Sequence, residues 1–298
     1  MEIGWRAGPY PEGVQEHPSV VLKNSGLRAV IEPDRWVPGS YQLVVDGTPQ
    51  SHVDLDDPTR LFFEYVQRMG NVIDLLHEPG EPITAVHLGA GAMTLPRYIA
   101  ATRPGSRQQV IELESDLVEL VRSELPLPRS AQIRVRHGDA REVVRKLPAG
   151  LRGTVDLLIV DIFSGARTPA HVTSVEFYRE AVSLLAPDGV VLVNVADGPP
   201  LSFARGQAST LASVVEHVAA LAETQVLKGK RFGNIVLVGS NAALPLDWLP
   251  RLLASGPHPA KAVAGEELRQ FVAGAQVVTD ATAVASPLPG RSVFQLKG

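Results

Sequence analysis

The chain of 298 residues contains no cysteine. Disulfide scaffolds, thiolate-held zinc or iron–sulfur centres and cysteine nucleophiles are therefore excluded, and any chemistry must use carboxylates, hydroxyls, imidazoles or a bound cosubstrate. A basic surplus is missing too: 28 Lys and Arg face 32 Asp and Glu, for a formal net charge of −4. Nothing is left over to neutralise a phosphate backbone, so no nucleic-acid partner is expected. No apolar run nears the roughly 20 residues that span a bilayer, so no membrane partner is expected either. The opening MEIGWRAGPYPEGVQEHPSV lacks the basic and then apolar regions of a secretory leader, and the expected location is cytoplasmic. Aromatic residues are scarce at 5% against 45% hydrophobic in all, so the core must be built from Val, Leu, Ala and Ile, as in parallel strands covered by helices.

The chain divides by pattern. Residues 1–80 hold short β-type runs, VVLKNSGLRAVIEP and SYQLVVDGTPQSHVDL, with Asp46-Gly47 as a hairpin signal. A linking helix is predicted to start after Asp57-Pro58, with Leu61, Phe62, Tyr65, Val66 and Met69 on its apolar face. Residues 81–298 alternate strongly apolar strands (ITAVHLGAG, QQVIEL, IRVRHGD, VDLLIVDI, GVVLVNVA) with helical patterns, which implies a doubly wound, mostly parallel sheet. A long helix over about 203–222 and a closing hairpin of TQVLKG and FGNIVLVGS complete seven strands. The antiparallel last strand matches a methyltransferase-like Rossmann α/β fold, here carrying a small N-terminal β module.

In such a sheet the ligand lies beyond the carboxyl ends of the strands. After the first strand comes the turn Gly89-Ala90-Gly91, which permits close approach of a ligand to the backbone. Glu112 follows the second strand, 23 residues past Gly89, near the spacing of an acid that receives ribose hydroxyls. Asp139 follows the third strand and Asp161 the fourth, and Asp139 also suits a helix N-cap. Carboxylates beside apolar strands need partners, because desolvating them is costly. Thr94 stands where a dinucleotide fingerprint has its third glycine, which favours a nucleoside without a pyrophosphate. The histidines show no metal-ligand spacing, so no metal is expected, and His87 inside the first strand reads as a packed core residue. Tyr178 on the helix after the fourth strand reads either as a substrate contact or as packing beside Phe177. The Gly-, Ser- and Thr-rich loop over 163–174 suits a mobile lid.

HLGAGAMTLPRYIA, VIELESDLVELVRSEL, IRVRHGDAREVV, VDLLIVDIFSGA and SVEFYREAVSLLAPDGVVLVNV resemble, in order and spacing, the core of spermidine synthase-like aminopropyltransferases. VVDGTPQSHVDLDD and VVTDATAV extend the resemblance over about residues 40–286. It implies decarboxylated S-adenosylmethionine or its methylthioadenosine product as the bound nucleoside and a small-molecule amine as acceptor, while S-adenosylmethionine itself is the alternative cosubstrate that the departure at Ala92 opens. By the same resemblance Glu112 holds the ribose, Gly138, Asp139 and Ala140 address adenine, Gln50 lines the site, and Asp161 orients and deprotonates the attacking amine. Ser164 and Glu64 fall at substrate-binding positions, and a homodimer is expected. Three departures stand out: Ala92 replaces an Asp of the family's glycine turn, Ser164 replaces the second Asp of its DSSD-type motif, and Phe62-Phe63 replaces a Tyr-Gln pair. Without Ala92's family counterpart no charge at that position repels the carboxylate of intact S-adenosylmethionine. A methyltransferase of unknown acceptor, or a nucleoside-binding homologue without catalysis, are the alternatives.

Overall fold

The computed structural model describes residues 17–288 apart from 256, and the leader-free reading of residues 1–16 lies outside them. Four short strands, β1 (Ser19–Val21), β2 (Arg28–Pro33), β3 (Ser40–Val45) and β4 (Thr48–Asp54), pair antiparallel in chain order. Asp46 and Gly47 join β3 to β4 with φ of 48° and 74°. Two positive φ values in a two-residue loop give the primed turn whose twist matches the strands.

Helix α1 (Glu64–Asp74) starts later than predicted, and Leu61 and Phe62 lie in the approach to it. Then follow β5 (Thr84–Leu88), α2 (Thr94–Thr102), β6 (Arg107–Glu112), α3 (Ser115–Glu124), β7 (Gln132–His137), α4 (Ala140–Lys146), β8 (Val155–Val160), α5 (Val175–Val182), β9 (Leu185–Asp197), α6 (Ser202–Ala212), β10 (His217–Ala222), α7 (Thr224–Leu227), β11 (Gly233–Ser240), α8 (Leu249–Ala254), β12 (Lys261–Ala264) and α9 (Gly265–Phe271). Strands β5 to β12 form one sheet in the order β12-β10-β11-β9-β8-β5-β6-β7. Strands β7, β6, β5, β8 and β9 run parallel, while β11 slots antiparallel between β9 and β10.

Two expectations need correction. The sheet has eight strands rather than seven, because Lys261–Ala264 adds an antiparallel edge beside β10. TQVLKG is not a strand: Thr224–Leu227 is a helical turn, and the partner of β11 is His217–Ala222, which the predicted long helix had absorbed. HVAALA lacks β-branching beyond Val218, so its local propensity favours helix; its central position between β11 and β12, with Ala219 to Ala222 fully buried, overrides that.

The core follows the period of two along each strand. Ala85, Leu157, Ile159, Val190 and Leu192 meet Val66, Met69, Val72 and Ile73 of α1 with α2 and α8 on one face. Their sequence neighbours Val86, Leu158, Val160, Val191 and Val193 meet α4, α5, α6 and α9 on the other. Each fully buried Val, Leu or Ile contributes about 1.5–3 kcal/mol, which is why both faces must be covered. Helix α1 thus packs on the large sheet, although it follows directly on the small one. The small sheet turns Leu43, Val45 and Val53 onto Ala92, Leu117 and Val121, above the carboxyl ends of β5 and β6. Among the described residues, no helix is long and apolar enough to cross a membrane.

Candidate active site

The chain leaves β5 toward one face of the sheet and β8 toward the other, so a crevice must open between their carboxyl ends. A cavity of about 710 Å³ lies there, roofed by the small sheet. Gly89 and Gly91 line it, with φ of 97° and 49°. A Cβ on Gly89 would stand 2.1 Å from the carbonyl oxygen of Asp161, and one on Gly91 would stand 2.4 Å from Ser51 Oγ. The glycines are therefore demanded first by neighbouring protein atoms: Gly89 lets β5 pass β8, and Gly91 lets β4 dock. Ser51 Oγ accepts the Ala92 N–H at 3.1 Å, and Thr94 Oγ1 donates to the His52 carbonyl at 3.0 Å, so strand β4 is bonded to the turn that opens α2.

Glu112, the last residue of β6, accepts the N–H of Ala90 at 2.9 Å and of Glu114 at 3.0 Å. Burial pushes its carboxyl above the ordinary range, and those N–H groups pull it part of the way back. Asp139 caps α4 by accepting the Glu142 N–H at 3.1 Å and pairs through Oδ2 with His171 Nε2 at 2.6 Å. The cap and the cavity wall are thus served by one carboxylate. Asp161 at the end of β8 is bonded by Asn194 Nδ2 at 2.9 Å and by the Tyr65 hydroxyl at 3.4 Å. Burial raises its pKa as well, against the lowering effect of these two donors. Tyr65, pressed by burial and by the charge of Asp161, is raised far above a normal phenol and stays a hydrogen-bond donor.

Among the described residues, five carboxylates line the cavity, those of Glu64, Glu112, Glu114, Asp139 and Asp161, and no Lys or Arg does. Glu114 is spoken for, since burial works to raise it but the N–H groups of Asn24 and Ser25 bind it tightly enough to hold it below its usual range. Such a chamber attracts cations and repels anions. Cationic ligands of nucleoside size fit both its charge and its volume.

A crystal structure of a probable spermidine synthase from Corynebacterium glutamicum superposes with a TM-score of 0.80 at 30% identity, covering 89% of this chain and 97% of the other. The chain belongs to the spermidine synthase-like family. A polyamine aminopropyltransferase of Vibrio vulnificus is 29% identical over 136 residues, 45% of this chain and 44% of that protein, so the match spans less than half of the relative's length. The spermidine synthase of Thermotoga maritima shares the fold, with a TM-score of 0.55 at 15% identity over 89% of this chain and 82% of the other. No family model matches the chain.

The other family positions sit unequally around the cavity. Gln50, Glu64, Ala140 and Ser164 line it. Gln50 Nε2 reaches from β4 to the Gly165 carbonyl at 2.9 Å, tying the small sheet to the loop after Asp161. Tyr178 does not reach the cavity: its ring is 1% exposed within the core, and its hydroxyl donates to Gln207 Oε1 at 2.7 Å. It is packing, because α5 turns Phe177 and Tyr178 together onto the sheet. Ala92 is buried against α3 and does not line the chamber either, so its loss of charge acts at most through the turn it belongs to. His87 is buried and bonded to Gln108 Oε1 at 2.9 Å, with its pKa pulled down to about 4 by burial.

The loop over 163–174, expected to be a lid, is fastened at several points. Thr168 and Ser286 exchange bonds at 2.8 and 3.0 Å, and Arg167 Nε donates to the Ser286 carbonyl at 2.7 Å. Further along this C-terminal strap, Asp280 accepts from Ser174 Oγ at 2.5 Å and from both Nη atoms of Arg141 at 2.7 and 2.8 Å. These donors, Arg141 first, hold the Asp280 carboxyl down at about 2.

Three residues of the site escaped sequence reasoning: Tyr65, Asn194 and Asn234. Asn234 Nδ2 donates to Asn194 Oδ1 at 2.9 Å, continuing the line that starts at Asp161. Tyr65 counted as one more apolar residue of a helix face, and Asn234 begins the antiparallel strand. An Asn inside VVLVNVA, between apolar neighbours, was the one signal available, since a buried amide demands a polar partner.

Proposed function

We propose that the chain is an aminopropyltransferase that binds decarboxylated S-adenosylmethionine along the glycine turn and Glu112 and transfers its aminopropyl group to an amine. The supporting observation is Asp161, a carboxylate of raised pKa held by Asn194 and Tyr65 in a cavity whose lining, among the described residues, contains carboxylates and no Lys or Arg. In this reading the amine nitrogen attacks the propyl carbon bonded to sulfur. The carbon–sulfur pair leaves with sulfur as a neutral thioether, which needs no acid, and the proton lost by nitrogen goes to Asp161. Positive charge moves from sulfur to nitrogen during the step, toward Asp161, so the carboxylate is worth more in the transition state than before it. Glu112 takes the ribose diol and Asp139 with Ala140 lies on the adenine side. Residues 1–80 serve as the roof module with its linking helix, and 81–298 as the nucleoside-binding catalytic domain.

A methyltransferase reading has one observation in its favour: residues 89–94 carry no acid, so nothing in the turn repels the carboxylate of intact S-adenosylmethionine. Calorimetry with methylthioadenosine, S-adenosylmethionine and its decarboxylated form separates the two. Binding of the decarboxylated form with aminopropyl transfer is the expected result; binding of intact S-adenosylmethionine alone would replace it with the methyltransferase reading.

A further inference from the structure

Glu64 and Asp161 are the two carboxylates at the acceptor end of the cavity, and their surroundings differ in charge. Glu64 Oε2 lies 3.7 Å from Arg68 Nη2 and 3.9 Å from Arg231 Nη2. Arg231 is paired with Glu223 as well. Arg68 is only 2% exposed, and its Nε and Nη2 find no hydrogen-bond partner among the described residues, so Glu64 is the countercharge that this buried guanidinium needs. Two guanidinium groups and two carboxylates cancel in this cluster. Among the described residues, Asp161 is left as the single uncompensated charge at the acceptor end.

Neutral groups fill the space between them. A carboxylate only accepts, so Asn194 must turn Nδ2 to Asp161, and its Oδ1 then takes Nδ2 of Asn234. The main-chain carbonyl of Asn234 accepts from Arg68 Nη1 at 3.5 Å. Phe63 and Phe232 complete the wall with apolar surface.

Resting on the aminopropyltransferase reading, we infer that the acceptor is an amine with one cationic nitrogen and a neutral tail, and that Arg68 and Arg231 set this specificity by withholding Glu64 from a second ammonium. A diamine would bring one charge to Asp161 and a second to a place where the carboxylate is already paired. That second ammonium must either displace a guanidinium, stranding Arg68 in the core, or shed its water without a countercharge.

The test compares n-butylamine with 1,4-diaminobutane, equal in carbon length, binding to the full chain saturated with methylthioadenosine. The monoamine is expected to bind more tightly by about tenfold or more, the discrimination set by one unpaired charge in a largely desolvated site. Arg231 is half-exposed, and Arg231→Gln, which loosens the grip on Glu64 without leaving a hole in the core, is expected to shift the ratio toward the diamine by about fivefold or more. Tighter binding of the diamine to the unaltered protein, an unmoved ratio in Arg231→Gln, or no binding of either amine overturns the inference. Turnover measured alongside is a separate reading: the expected ratio without any aminopropyl transfer would overturn the proposed reaction and leave the monoamine preference standing.

Discussion

The two ends of the cavity are built in different ways. At the end proposed to hold the nucleoside, Glu112 is held by backbone N–H groups of Ala90 and Glu114, and the shape comes from glycines at positive φ. At the end proposed for the acceptor, Asp161 is held by side chains, Tyr65 from α1 and Asn194 from β9, backed by Asn234 from β11. The first end is made by two consecutive strand–turn–helix units, and the second requires three elements far apart in the chain. Backbone holds a shape whatever the neighbouring side chains are; a side-chain network can be retuned by single substitutions. Under the proposed reading, the nucleoside end is thus fixed by backbone and the acceptor end is the one that single side-chain changes can retune.

Asp161→Asn cuts that contrast most sharply. It is expected to lower kcat by about 10²–10⁴-fold while the Kd for methylthioadenosine stays within about twofold; a comparable loss in nucleoside binding would show that the two ends are not separable. Next in size, Gly89→Ala drives a Cβ into the Asp161 carbonyl at a φ that alanine avoids, and should cost on the order of 3 kcal/mol in urea unfolding. An unshifted urea midpoint would mean that the crossing of β5 and β8 has slack. Glu112→Gln keeps the shape and removes the charge, so nucleoside affinity is expected to fall about 10- to 100-fold with the acceptor KM little changed. The smallest effect is a shift in pH. The hydrogen bond from Asn194 lowers the pKa of Asp161, so Asn194→Leu should raise it and move the acid limb of kcat to higher pH. Because the base must be unprotonated, activity is lost as pH falls through that value, and in the variant it is lost sooner; a limb that stays in place would remove Asn194 from the tuning of the base.

The same contrast explains what could be read from the sequence. Gly89, Glu112 and Asp161 each stand at the end of an apolar run, where local pattern alone locates the carboxyl edge of a sheet; Asp139 follows the half-exposed edge strand in IRVRHGD and is placed by its helix-capping position, and all four line the cavity. Asn234 could not be read in this way. It begins β11, and only because β11 runs antiparallel does the start of that strand lie at the edge where the parallel strands end. Its place therefore depends on topology, and the hairpin that carries β11 was misread: HVAALA has the local preference of a helix, and only central burial makes it a strand. Tyr178 failed in the opposite direction, because a polar tip on an aromatic ring looks like a substrate contact until Gln207 is seen to satisfy it.

The C-terminal strap bears on the order in which the protein becomes competent. Thr168, seven residues past Asp161, is fastened by Ser286, which follows it by 118 residues. A chain emerging from the ribosome at about 5–20 residues per second has its whole large sheet made before that clasp exists. For several seconds of each synthesis, the loop beside Asp161 therefore lacks the bonds that Thr168 and Arg167 make to Ser286, and it is held only from its inner side.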